Sequence, residues 1–170
     1  MSLIAIVAVG LDNSIGCDGG LLWHVKEDLQ NYKRLTLNKK LVVGAKTWQN
    51  LPEAAKKNRF HYVISSKYVG DDEQHKSIPS LAGFFKIYEE LDEDVYVIGG
   101  EQIYEQLLPY CDKAVITTIC EFFPIANKHF PMHLISTGFT ETNSTGKLNS
   151  SSGLNYIIRE YVNNNGSKGN

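Results

Sequence analysis

The stretch GGLLWHVKEDL, Gly19 to Leu29, puts a carboxylate, Asp28, on the shoulder of an apolar helical face and a tryptophan, Trp23, five residues ahead of it. Two chemistries fit Asp28. It is a first-turn acid that complements the helix dipole, or a carboxylate turned into an apolar cleft, able to grip a cationic or amidine-like heterocycle. In the second case burial raises its pKa and a bound positive charge lowers it. A second candidate is VYVIGGEQIY, where an apolar strand ends in Gly99-Gly100 and a helix starts at once. That is a tight turn, or a place where free backbone N–H groups meet a phosphate. It is not a GxGxxG, so the usual dinucleotide fingerprint is absent. VVGAKTW, residues 42–48, repeats the pattern with Lys46 and Thr47, and RFHYVISSK, residues 59–67, closes with Ser65, Ser66 and Lys67. These are phosphate-holding groups or ordinary polar turns. His129 and His133 stand four apart, but HFPMH contains a proline, so no helical metal pair is expected. No serine or cysteine nucleophile elbow is present.

The elements that must position these residues alternate. Residues 3–9, 41–44, 62–66, 95–100 and 114–119 are short, rich in Val and Ile, and apolar at nearly every position. Such strands belong to a sheet covered on both faces. Between them the spacing predicts helices over 26–36, with Leu29, Tyr32 and Thr36 on one stripe, over 80–91, capped by Ser80, and over 101–110. The expectation is therefore an α/β fold: a mostly parallel central sheet with helices on both faces. In such sheets the strand ends carrying Gly44, Ser65 and Gly99 lie on one carboxyl edge, where ligands bind. HLISTGFTETNST and LNYIIREYV, the second at residues 154–162, read as two extended stretches forming a C-terminal antiparallel hairpin.

The 170 residues suit one domain, expected over 1–163, with a frayed polar tail over 164–170. A net charge of -2 without like-charge runs gives no nucleic-acid patch and no membrane surface. The N-terminal apolar run lacks the basic flank of a signal peptide. Three cysteines without CxxC spacing fit a reducing, cytoplasmic setting and no metal. Asn143, Asn149 and Asn165 open N-x-S/T triplets, taken as chance matches in polar loops. No exposed apolar stripe demands a dimer, so a monomer is expected.

Taken in order, IAIVAV, IGCDGGLLWHVKEDLQNYKRLT, GAKTW, NRFHYVISS, VIGGEQIY, ITTI and HFP resemble the dihydrofolate reductase family, from the first strand to about Pro131. The resemblance implies NADPH-dependent reduction of 7,8-dihydrofolate to tetrahydrofolate, and binding of antifolates. It makes Asp28 the ionisable group of the pterin pocket, with Thr117 bridging to it and Trp23 ordering water beside it. Tyr104 becomes a neighbour of the nicotinamide. Ile6, Val7, Leu29, Tyr32, Leu51 and Ile98 become apolar walls, and Arg59 the fork for the substrate's tail carboxylate. On the cofactor side it assigns Ala8, Ile15, Gly16, Asp18, Gly19 and Gly20 to the nicotinamide end. Ile98, Gly99, Gly100, Glu101, Gln102 and Ile103 form the pyrophosphate cradle, with a cis Gly99-Gly100 bond. Gly44, Lys46, Thr47, Ser65, Ser66 and Lys67 take the remaining phosphate and adenosine.

The chain departs from that pattern at several positions. Ala45 stands where the family usually has arginine, so Lys46 or Lys67 is expected to substitute as a point charge. Gln102 replaces another arginine, Leu22 the proline before the tryptophan, and Asn127 an acid. Gly19-Gly20 predicts a mobile lid. Two rivals are a same-fold reductase of a pyrimidine intermediate in flavin synthesis and a binding protein that has lost catalysis. Asp28 together with Arg59 favours folate.

Overall fold

The computed structural model describes residues 1–16 and 22–166. The strands are β1 (Leu3–Val9), β2 (Ser14–Gly16), β3 (Lys40–Gly44), β4 (Phe60–Ile64), β5 (His75–Ile78) and β6 (Val95–Val97). Then come β7 (Lys113–Ile119), β8 (Lys128–His129), β9 (Phe139–Ser144), β10 (Leu148–Asn149) and β11 (Asn155–Asn163). The helices are α1 (Lys26–Thr36), α2 (Ala45–Asn50), α3 (Glu53–Lys56), α4 (Leu81–Tyr88), α5 (Glu101–Leu107) and α6 (Met132–Gly138), and a 3₁₀ turn over Leu108–Tyr110 extends α5.

The main sheet runs β10-β11-β7-β1-β6-β3-β4-β5, with β9 also paired to β11. Strands β1, β3, β4, β5, β6 and β7 are mutually parallel; β11 lies antiparallel to β7 and β9. β1 sits at the centre because LIAIVAV has no polar side chain to lose by burial. Its side chains alternate between two cores. Leu3, Ala5, Val7 and Val9 pack with Phe84 of α4, Ile103, Tyr104 and Leu107 of α5 and Ile135 of α6. Ile4 and Ile6 pack on the opposite face with Tyr32 and Leu35 of α1. The expected α/β architecture with helices on both faces is present.

Four expectations need correction. The stretch from His133 is not extended until Phe139: Met132–Gly138 is helical. Met132, Ile135 and Phe139 recur at i, i+3 and i+7 and all join the core. The helix starts immediately after Pro131, where a proline does no damage. On α1 the buried stripe is Asp28, Tyr32, Leu35 and Thr36, at i, i+4, i+7 and i+8, while Leu29 is 46% exposed. Asp28 thus lies on the inward stripe and Leu29 on its shoulder. β6 ends at Val97, before the glycines, because β1 and β6 part there. The helix expected to reach Tyr110 tightens to 3₁₀ at Leu108, where Pro109 removes a backbone donor. Sequence periodicity also missed β5 and the β2–β8 ribbon. Cys111 and Cys120 are free thiols. Among the described residues no helix is long and apolar enough to cross a membrane.

Candidate functional site

Asp28 is positioned by the first turn of α1, whose backbone begins with Asp28 N–H donating to Val25 O at 3.1 Å. Burial pushes its carboxyl up from an ordinary 3.8 to about 6, and hydrogen bonding to Trp23 pulls the other way. The Trp23 ring is itself braced at 5.1 Å against Phe123. A carboxyl poised near 6 beside an apolar sheet face can hold a proton or hydrogen-bond a cationic heterocycle.

The opposite wall forms where the sheet splits. β1 pairs with β6 only as far as Ala5 and Val97, yet continues beside β7 to Val9 and Thr118. The chain after β6 stays with β3 instead: Ile98 N–H donates to Val42 O at 3.1 Å, and Gly44 N–H to Gly99 O at 2.8 Å. A slot therefore opens between β1 and β6. At its mouth Tyr104 reaches from α5 and donates its hydroxyl to Ile6 O at 2.7 Å. Burial first, then the neighbouring Tyr32 and Asp28 charges, raise the Tyr104 pKa, so it stays a neutral donor. Gly99 is at φ +107°, and a Cβ there would meet the Tyr104 ring at 2.9 Å. The Gly99–Gly100 bond is cis.

Arg59 closes the far end of α1. Its Nε donates to Thr36 Oγ1 at 2.8 Å, Nη1 to Lys57 O at 2.6 Å and Nη2 to Lys33 O at 2.9 Å. Lys33 O is one of the helix-end carbonyls without an intrahelical partner, so Arg59 caps α1. Guanidinium carries five N–H donors. After these three bonds one N–H remains on each terminal nitrogen of the buried side chain.

A depression in the surface lies on the carboxyl edge of β3, β4 and β6. It is a cleft of ≈ 490 Å³, within the usual range for small-molecule sites. Gly44, Ala45, Lys46, Thr47 and Asn50 form one wall, with Leu51, Pro52 and Ile64 at its edge. Gly100, Glu101, Gln102 and Ile103 form the second wall, and Ile15, Gly16 and Lys128 of the β2–β8 ribbon the third. The first two walls nearly touch. A Cβ at Gly44 would lie 3.2 Å from Ile103 Cγ1, and one at Gly100 3.0 Å from Thr47 Oγ1. Glycine there leaves backbone as the cleft floor, a surface that suits the close approach of phosphates.

The dihydrofolate reductase family model matches residues 2–163. The chain belongs to the dihydrofolate reductase family. A dihydrofolate reductase of Bacillus subtilis is 31% identical over 126 residues, covering 74% of this chain and 73% of that protein. A bifunctional dihydrofolate reductase-thymidylate synthase of Paramecium tetraurelia is 28% identical over 94% of this chain, which spans only 34% of that longer protein. Among solved structures, a dihydrofolate reductase from Enterococcus faecalis complexed with NADP(H) shares the fold, with TM-score 0.85, 24% identity and 96% of each chain covered.

Of the residues the dihydrofolate reductase pattern assigns to the cofactor, Ile15, Gly16, Gly44, Lys46, Thr47, Gly100, Glu101, Gln102 and Ile103 line the cleft. Ile6 and Ile98 join the α1-side core with Tyr32. Val7 faces the other core. Leu51, expected on the substrate side, lines the cleft, whereas Ser65, Ser66 and Lys67 lie outside its lining. Thr117 is buried and in register with Ala8, and makes no hydrogen bond to Asp28 among the described residues. Asp18, Gly19 and Gly20 fall outside the described residues, as does the expected lid. Sequence reasoning missed Asn50, Pro52, Ile64 and Lys128. The first two follow GAKTW within a turn and could have been included by proximity. Lys128 carries no local signal.

Proposed function

We propose that this chain is an NADPH-dependent dihydrofolate reductase, acting on 7,8-dihydrofolate to give tetrahydrofolate for one-carbon and thymidylate metabolism. The observation that carries the reading is Asp28, the one carboxyl among the described residues that burial raises, on the α1 face beside the slot between β1 and β6. The glycine-floored cleft opens on the edge of the same sheet. The cleft suits a phosphate-bearing cofactor: Gly44 and Gly100 leave no room for a side chain, and Lys46 and Lys128 line it without an ion-pair partner among the described residues.

NADPH, when bound, supplies the hydride that reduces the pterin at C6. The chain's own residues do the rest. Asp28 holds the pterin through its N3 and 2-amino edge and polarises the ring so that N5 accepts a proton. Trp23 fixes the carboxylate through their hydrogen bond. Ile6, Tyr32 and Ile98 exclude water, with Leu29 at the rim, which strengthens the carboxylate's hold. Tyr104 steadies positive charge that develops at the nicotinamide end, with Thr117 behind the pterin edge. The two free donors of Arg59 take the tail carboxylate. Lys46, Thr47 and the 98–103 segment hold the cofactor phosphates, with Ala8, Ile15 and Gly16 toward the nicotinamide. Ser65, Ser66 and Lys67, at the end of β4, take the adenosine end. The protein acts as a monomer in the cytoplasm, without nucleic acid, and antifolates compete at Asp28.

The test is consumption of NADPH with dihydrofolate, blocked by an antifolate. A folded chain with no rate would overturn the reading. Turnover of a flavin-pathway pyrimidine in place of dihydrofolate would move it to the same-fold rival.

A further inference from the structure

The cleft carries three ionisable side chains, Lys46, Glu101 and Lys128. Glu101 accepts the backbone N–H of His129 at 2.7 Å, which fixes a negative charge beside the strand that carries Lys128. Neither lysine has an ion-pair partner among the described residues. Without Lys128 the side-chain charge of the cleft is one lysine against one carboxylate, or zero. A dinucleotide brings two negative charges on its diphosphate alone. Ala45 and Gln102 add no charge.

We propose that Lys128 is a cofactor-binding residue of this chain, contacting the diphosphate bridge of the dinucleotide from the β2–β8 wall. The inference rests on reading the cleft as the NADPH site. Lys128 is cross-strand partner to Gly16, and a Cβ at Gly16 would lie 3.9 Å from the Lys128 Cβ, in ordinary contact, so the two-stranded ribbon sets the lysine beside Gly16 on the same cleft wall. Ile15 and Gly16 place this wall at the nicotinamide end, whereas Lys46 stands on α2 beside the β3–β4 edge that leads to the adenosine end. Lys128 therefore meets a charge shared by NADPH and NADH, and the 2′-phosphate falls to Lys46. A compact ammonium on a flexible stem suits a diphosphate, which offers several oxygens and no single fork geometry.

The experiment measures equilibrium binding of NADPH and of NADH to the full chain by tryptophan fluorescence, without substrate and at two salt concentrations. Three proteins are compared: wild type, Lys128→Met, which keeps the stem, and Lys128→Arg, which keeps the charge. Lys128→Met is expected to weaken both cofactors by a similar factor, about threefold to tenfold, and to flatten the salt dependence of each. Lys128→Arg is expected to restore both. Unchanged affinities in Lys128→Met overturn the proposal. A loss confined to NADPH also overturns it, moving the contact to the 2′-phosphate. A loss that Lys128→Arg does not rescue marks a structural role and overturns it too. A folded wild type that binds neither dinucleotide is a different result, for it removes the reductase reading itself.

Discussion

Asp28→Asn separates the demands of folding from those of catalysis. Burial raises this carboxyl from 3.8 to about 6, so the folded protein disfavours the ionised form by about 3 kcal/mol relative to the unfolded chain. The folded state has the higher pKa and holds the proton longer. The wild type therefore loses stability as pH rises from about 4 to about 6, and this group contributes no further change above that. Asparagine keeps the shape and one acceptor for Trp23 but never ionises. Its extra N–H donors need partners, which leaves a net gain of about 1–3 kcal/mol above pH 6. Urea unfolding at about pH 4 and about pH 8 measures this: the variant should match wild type at the lower pH and exceed it at the higher. At neutral pH the same variant should lose about 100-fold or more of its turnover. A stability difference that does not change between the two pH values would refute the buried, raised-pKa account. Full activity would refute the role given to Asp28.

Two other perturbations follow from the site's hydrogen bonds. Tyr104→Phe removes the donor to Ile6 O and leaves a buried carbonyl unpaired, so unfolding free energy should fall by about 1–3 kcal/mol; an unchanged urea midpoint would show that bond to be idle. Arg59→Lys loses the guanidinium fork and at least one cap on α1, so KM for dihydrofolate should rise about tenfold while the affinity of an antifolate lacking a glutamate tail stays close to wild type. Equal losses for both ligands would mean that Arg59 acts only on the helix.

The sequence made the central sheet legible because LIAIVAV, LVVG and VYVIGG have no polar face to confuse the period. α1 was readable to the residue, but the stripe was set one position off, since Leu29 looks more buried than an aspartate on hydropathy alone. HKSI of β5 was not readable: its outward residues are polar, as an edge strand permits. α6 was hidden by a run of Ile, Ser and Thr that favours extended structure locally, and tertiary packing of Met132 and Ile135 overrides it. In the site, GAKTW and VIGGEQIY marked two walls of the cleft, because each combines a strand end with a glycine. The third wall depends on Gly16 meeting Lys128 across more than a hundred residues, and no local pattern encodes that meeting.

Arg59 ties down the end of α1 through its bonds to Thr36 Oγ1 and Lys33 O, and on the proposed reading it also takes the substrate's tail carboxylate. That double duty limits how the enzyme can change under selection. A variant that escapes an inhibitor by discarding the Arg59 fork also uncaps a helix, and must carry a compensating change elsewhere. Leu29, 46% exposed on α1, has no bond of this kind to lose. On the proposed reading, in which both side chains meet the substrate, the route to drug resistance with the fewest steps therefore runs through Leu29, and inhibitors that lean on Arg59 should be slower to fail.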